Sequence, residues 1–288
     1  MNWTHIFFIC EIYIMLALGA NLLSGYTGLV SFANGAFYGL GAYATALSMK
    51  VLGLGFLEAT LIAVLCNLLL AMLVALLSIR LKDLYFTLAT LALQVVVFTL
   101  LYNWEELTGG SYGISDIPKA DILGYVLNRP EHYVILGAFF AAATALFFSY
   151  FRKTPLFRTL ECIRDNELGA VTMGKNLSYY KILCNLMAAT IMAVAGSLFA
   201  AYHGYIDPTA FTLAESILIV NMILIGGTGN LIGPVFGACF FVLLPEVTRL
   251  IPVSSSQGAS LQLMIYSAIL ILVVRLRPNG LFGEFRFR

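Results

Sequence analysis

The sequence predicts an all-α, polytopic transmembrane helix bundle. Of its 288 residues, 60% are hydrophobic and 11% are charged, and the mean hydropathy is +0.91. Soluble domains keep roughly a quarter of their residues charged. The charges gather in short stretches between long apolar runs, so lipid is the solvent for most of the chain. Backbone amides in lipid must be satisfied within the segment, and the alternating pattern of a barrel strand is absent. Helix is therefore the expected element.

A helix needs about twenty apolar residues to cross the hydrocarbon core. Candidate segments in the first half run over Ile6–Leu23, Thr27–Met49, Phe56–Ile79 and Leu84–Tyr102. Those in the second half run over Tyr133–Phe151, Ile182–Tyr202, Leu213–Ile225, Gly233–Arg249 and Leu261–Leu276. The reading is thus about eight to nine membrane segments, one or more of them broken. The first has no basic flank and is too long for a cleaved signal, so it is expected to stay in the membrane. The second, rich in Gly, Ala and Ser, is expected to be broken or re-entrant. The seventh is short with a glycine-rich end.

Basic residues set the orientation. Arg152, Lys153, Arg158, Arg164, Lys175 and Lys181 crowd the loop 152–181, and Arg275, Arg277, Arg286 and Arg288 crowd the tail. Both are expected in the cytoplasm, and the segments between them return the chain to the same side. The stretch 103–131, with Glu105, Glu106, Asp116, Asp121 and Glu131, falls outside. Full crossings throughout place the N-terminus outside, whereas a re-entrant second segment would reverse it.

The loop 152–181 predicts a short cytoplasmic surface helix. Leu156, Leu160, Ile163 and Glu167 recur at helical spacing, with Arg158, Glu161, Arg164 and Asp165 elsewhere around the turn. Such a segment is amphipathic and too polar to insert. It fits a topology-fixing loop or a docking element for a partner.

The run Arg158-Thr159-Leu160-Glu161-Cys162-Ile163-Arg164-Asp165-Asn166-Glu167, followed by Gly169-Ala170 and Gly174, resembles the cytoplasmic loop of ABC importer inner-membrane permeases of the branched-chain amino acid, Liv-type, family. So do Asn21–Phe32, Gly35–Tyr43, Leu107–Ile114, Gly204–Pro208 and Gly226–Pro234, in order along nearly the whole chain. The chain departs from that pattern at Gly169, where the family more usually has alanine, and at Asn34, where it often has histidine.

The resemblance implies one permease domain over residues 1–288, with a coupling helix that docks on a cytoplasmic ABC ATPase. It also implies a second, related permease subunit, and a periplasmic or extracellular substrate-binding protein. Arg158, Glu161, Arg164, Asp165, Asn166, Glu167 and Gly174 would carry the coupling contacts. The implied location is the bacterial inner membrane, and the implied cargo is branched-chain or related amino acids, with urea or amides as alternatives. ATP and Mg would be bound by the partner ATPase, since the chain lacks the phosphate-binding string G-x-x-x-x-G-K-[ST]. No cofactor, metal or nucleic acid is expected on this chain. On the residues alone, a gradient-driven secondary transporter or channel fits the glycine-rich breaks as well.

Pathway candidates are the intramembrane polar and glycine-rich positions Asn34, Tyr38, Tyr43, Gln94, Gly109, Gly110, Asn221, Gly226 and Gly227. Gln94 and Asn221 are expected to make interhelical hydrogen bonds. Gly-x-Thr-Gly occurs at Gly25–Gly28 and again at Gly226–Gly229, both expected on one side of the membrane. His5, His132 and His203 sit at segment ends, and the cysteines show no ligand spacing.

Overall fold

A computed structural model describes residues 3–81, 83–122 and 125–248, and isolated positions between 264 and 282. The chain runs through α1 (Trp3–Thr27), α2 (Asn34–Val51), α3 (Phe56–Arg80), α4 (Asp83–Asn103), α5 (Glu105–Thr108) and α6 (Pro130–Phe151). It continues through α7 (Pro155–Asp165), α8 (Glu167–Thr172), α9 (Leu177–His203), α10 (Leu213–Gly226) and α11 (Ile232–Thr248). Helices α1, α3, α4, α6 and α9 are long and apolar enough to cross a bilayer, while α10 and α11 are shorter. The chain is a multi-pass membrane protein. The segment expected at Leu261–Leu276 lies mostly outside the described residues.

Helix α9 is the axis of the bundle, packing on α1, α2 and α3, and α1 also meets α6, α10 and α11. Small residues permit this. The absent Cβ of Gly41 would lie 2.7 Å from the carbonyl oxygen of Ala193, and that of Gly196 would lie 2.7 Å from the amide nitrogen of Ala42. The backbones of α2 and α9 therefore touch directly, the close approach that small residues supply in lipid. The α10–α11 hairpin closes the same way, Gly226 and Gly237 each meeting the opposite backbone.

The second segment is broken. Residues 28–33 are non-helical, and α2 begins only at Asn34. The stretch climbs beside the first half of α4. The hydroxyl of Thr87 donates to the carbonyl of Val30 (3.0 Å), and the amide of Phe32 donates to Oγ1 of Thr90 (3.1 Å). Farther up, the amide of Gly35 donates to Oγ of Ser216 (2.8 Å). Helix α2 then ends against the stretch 103–131, where Lys50 Nζ donates to the carbonyl of Ser115 (2.7 Å). Side-chain hydroxyls thus satisfy backbone that the helix ladder does not, as non-helical backbone at membrane depth requires.

The N-terminal end of α1 lies at the end of the bundle remote from loop 152–181. His5 stacks on Tyr202 with ring centroids 5.7 Å apart, at the end of α9 remote from loop 152–181. The outer stretch 103–131 holds α5, a 3-10 turn at Gly110–Tyr112 and a small antiparallel hairpin pairing Asp121–Ile122 with Tyr125–Val126. It is tied to the chain after α9 by pairing of Ile114 with Ile206.

Two outcomes are expected. Gly196→Leu should lower stability in detergent by about 3 kcal/mol, because the added side chain has only backbone to displace; a thermal or denaturant unfolding midpoint reads it. In a Cys162→Ser background, cysteines replacing Trp3 or Tyr112 should react with an impermeant maleimide from outside. A cysteine at Lys153 should react only after permeabilisation.

Candidate functional site

The cytoplasmic loop forms two helices where one was expected. Helix α7 buries Phe157, Leu160 and Ile163, and the first two join a cluster with Tyr26, Phe148 and Phe151. The Phe157 ring lies 4.7 Å from Tyr26, and Arg152 sits 5.9 Å above it. The chain becomes extended at Asn166, whose side-chain oxygen accepts from the amide of Gly169 (2.9 Å) and caps α8. Glu167 therefore opens a new helix and does not continue the apolar stripe of α7.

The expected coupling residues divide by direction. Arg164 turns into the protein, its side chain 9% exposed, with Nε 3.0 Å from Asp165 Oδ1. Its Nη1 donates to the carbonyl of Gly25 (2.8 Å). Glu167 pairs with Lys181 (2.6 Å), whose side chain is 5% exposed and also reaches the carbonyl of Ser78 (3.4 Å). Asn166 serves the α8 cap. Arg158, Asp165 and Gly174 are exposed, and Glu161 is half-exposed.

Leu168, Val171 and Met173 on and just after α8 are 78%, 53% and 66% exposed. Charge-led reading of the loop passes over these apolar residues, although their spacing after Asn166 marks a face. Nor does spacing reveal Lys181 as the partner of Glu167, because only the turn between α8 and α9 brings them together.

Part of the expected pathway set converges around the start of α2. Gln94 Nε2 donates to the carbonyl of Phe211 (2.8 Å), and Ser216 Oγ donates to Gln94 Oε1 (3.2 Å). Ser216 is the acceptor of the Gly35 amide, so Gln94 braces the start of α2. Asn34, buried, donates to the carbonyl of Ser31 (2.9 Å). Tyr38 and Tyr43 pack on Phe211 with centroids 5.0 and 6.0 Å apart. Ser216 and Phe211 join this cluster through the fold alone.

The remaining candidates lie elsewhere. Gly109 and Gly110 turn the stretch 103–131, Gly226 and Gly227 end α10, and Asn221 is half-buried on α10 outside this network. Among the described residues, no group of three or more His, Cys, Asp or Glu is arranged to hold a metal.

The two Gly-x-Thr-Gly strings meet at the cytoplasmic end. Asn21, fully buried, donates to the carbonyl of Asn230 (2.8 Å) and accepts from the amide of Gly229 (3.2 Å). The absent Cβ of Gly25 would lie 2.7 Å from the nitrogen of Gly229. Asn230 in turn accepts from the amide of Gly233 (2.7 Å) and donates to the carbonyl of Phe282.

Sequence comparison agrees with this architecture. The family model described as branched-chain amino acid transport system, permease component, matches residues 3–274. The high-affinity branched-chain amino acid transport system permease protein LivM of Salmonella typhimurium is 30% identical over 94% of this chain and 67% of its own length. LivH of Escherichia coli, named for the same transport system, is 24% identical over 94% of this chain and 91% of its own. A tyrosine transport system permease protein of Clostridioides difficile is 27% identical over 66% of this chain and 61% of its own. No solved structure matches. With nearly the whole bundle covered by the family model, this chain belongs to the family of branched-chain amino acid transport permease components.

Proposed function

We propose that this chain is one permease subunit of an ATP-driven importer that moves branched-chain or related amino acids across a bacterial inner membrane. Its partners in this reading are cytoplasmic ABC ATPases, a second related permease, and a binding protein that docks on the outer stretch 103–131. The chain itself provides no ATPase site, and ATP and Mg are held by the partner ATPase.

The observation that carries the reading is the outward face of the α7–α8 loop. Leu168, Val171 and Met173 stand exposed on the cytoplasmic side beside the charges of Arg158 and Asp165. Large apolar side chains grouped in water, rimmed by charge, fit a protein cleft. The inward face of the same loop is sealed onto α1 and α6 through Phe157 and Leu160. A load applied from outside would therefore reach the bundle through packed side chains.

The cargo reading rests on the names of the relatives, and the tyrosine system among them supports extending it to aromatic amino acids.

A tagged pull-down in mild detergent tests the assembly. Wild type should recover a P-loop ATPase. Leu168→Asp should reduce the recovery about tenfold, equivalent to about 1.4 kcal/mol of docking energy. Lys119→Ala, on the outer loop, should leave recovery unchanged. Folded wild type that recovers no ATPase would overturn the importer reading in favour of a gradient-driven transporter.

A further inference from the structure

We propose that Arg164 and Asn21 are positioning residues that carry movement of the α7–α8 loop into the turn between α10 and α11, and that neither contacts the ATPase. This inference rests on the importer reading above.

Arg164 belongs to a charged run on a cytoplasmic loop, yet its side chain is 9% exposed. Its guanidinium is directed at the carbonyl of Gly25, in the last turn of α1. The final carbonyls of a helix have no partner within it, and a cation there also complements the helix dipole. Arg164 therefore fastens the loop to the end of α1. The fastening is close: the absent Cβ of Gly28, at φ +75°, would lie 3.3 Å from Cγ of Arg164.

One helical turn before Gly25, Asn21 makes the next link. Its amide spans to the α10–α11 turn, donating to Asn230 and accepting from Gly229. Gly25 and Gly229 are in backbone-level contact between the two links. Asn230 then fixes the first turn of α11 through the amide of Gly233. The series from α7 through Arg164, the last turn of α1, Asn21 and Asn230 to α11 is continuous, its links between elements being hydrogen bonds of 2.7 to 3.2 Å.

The parts joined are also places where helices end. Each Gly-x-Thr-Gly string ends a helix inside the bundle, and Gly28 and Gly229 hold positive φ values of +75° and +86°. Separation of α1 from the α10–α11 turn at the cytoplasmic end must break or carry along both bonds of Asn21. A residue so placed biases a two-position element from a distance, the physical requirement for coupling.

The experiment uses the complete importer in proteoliposomes, with permeases, ATPases and binding protein. Substrate uptake and ATP hydrolysis are measured together on wild type, Asn21→Leu, Arg164→Ala and Arg164→Lys. ATPase should co-purify with every variant at the wild-type ratio. Substrate moved per ATP should fall about tenfold in Asn21→Leu and Arg164→Ala, a coupling change of about 1.4 kcal/mol. Arg164→Lys, which keeps a cationic donor, should recover part of it.

A role in folding alone would lower uptake and hydrolysis together and leave their ratio at the wild-type value, which would overturn the proposal. Loss of the ATPase from Arg164→Ala would overturn it too, by making Arg164 a docking contact. Should Asn21→Leu fail to assemble, the Arg164 pair decides the matter. Absence of an ATPase from the wild-type preparation would instead remove the importer reading itself.

Discussion

The constraint on which the rest of this protein depends is that backbone leaving the helical ladder inside a membrane must find partners within the chain. Residues 28–33 show how this is met. Thr87 and Thr90 of α4 supply a donor and an acceptor, Ser31 accepts from the amide of Ala33 (3.3 Å), and Asn34 donates back to Ser31. Without those groups the break would be an unpaired stretch in hydrocarbon, costing several kcal/mol for each exposed amide. With them, α2 begins at mid-depth and brings Asn34, Tyr38 and Gly35 to the level of Gln94 and Ser216.

Close backbone contact is the second requirement. In lipid, burying an apolar side chain gains little over leaving it against acyl chains, so dispersion contacts and short interhelical distances decide which helices associate. The alanines and glycines of α9 allow it to run against α1, α2 and α3 at once. Helices α3, α4 and α6 are as apolar as α1, yet their most apolar stretches are 33%, 28% and 28% buried against 72% for α1. Hydropathy alone does not separate these two groups.

The cytoplasmic loop shows one sequence pattern divided between two tasks. Ion pairing and capping occupy Glu167, Arg164 and Asn166 with their own chain, and the burial of Lys181 and Arg164 strengthens their interactions over solvated ones. What is left facing the cytoplasm is a mixed surface of Arg158, Asp165, Leu168 and Met173. The division follows from the break at Asn166, which rotates α8 away from the stripe that seats α7.

By itself the sequence determined the fold class and most of the helical segments, because lipid imposes length and apolarity that are local properties of a chain. The broken second segment was legible as a run of Gly, Ala and Ser, and the amphipathic loop as a change of period. Only the tertiary structure decided that Glu167 meets Lys181, that Gln94 holds Phe211 and Ser216, and that the two Gly-x-Thr-Gly strings touch through Asn21. Those pairs lie between 14 and 209 positions apart in the chain. No periodicity reports such a distance, since it is set by how whole helices pack and turn.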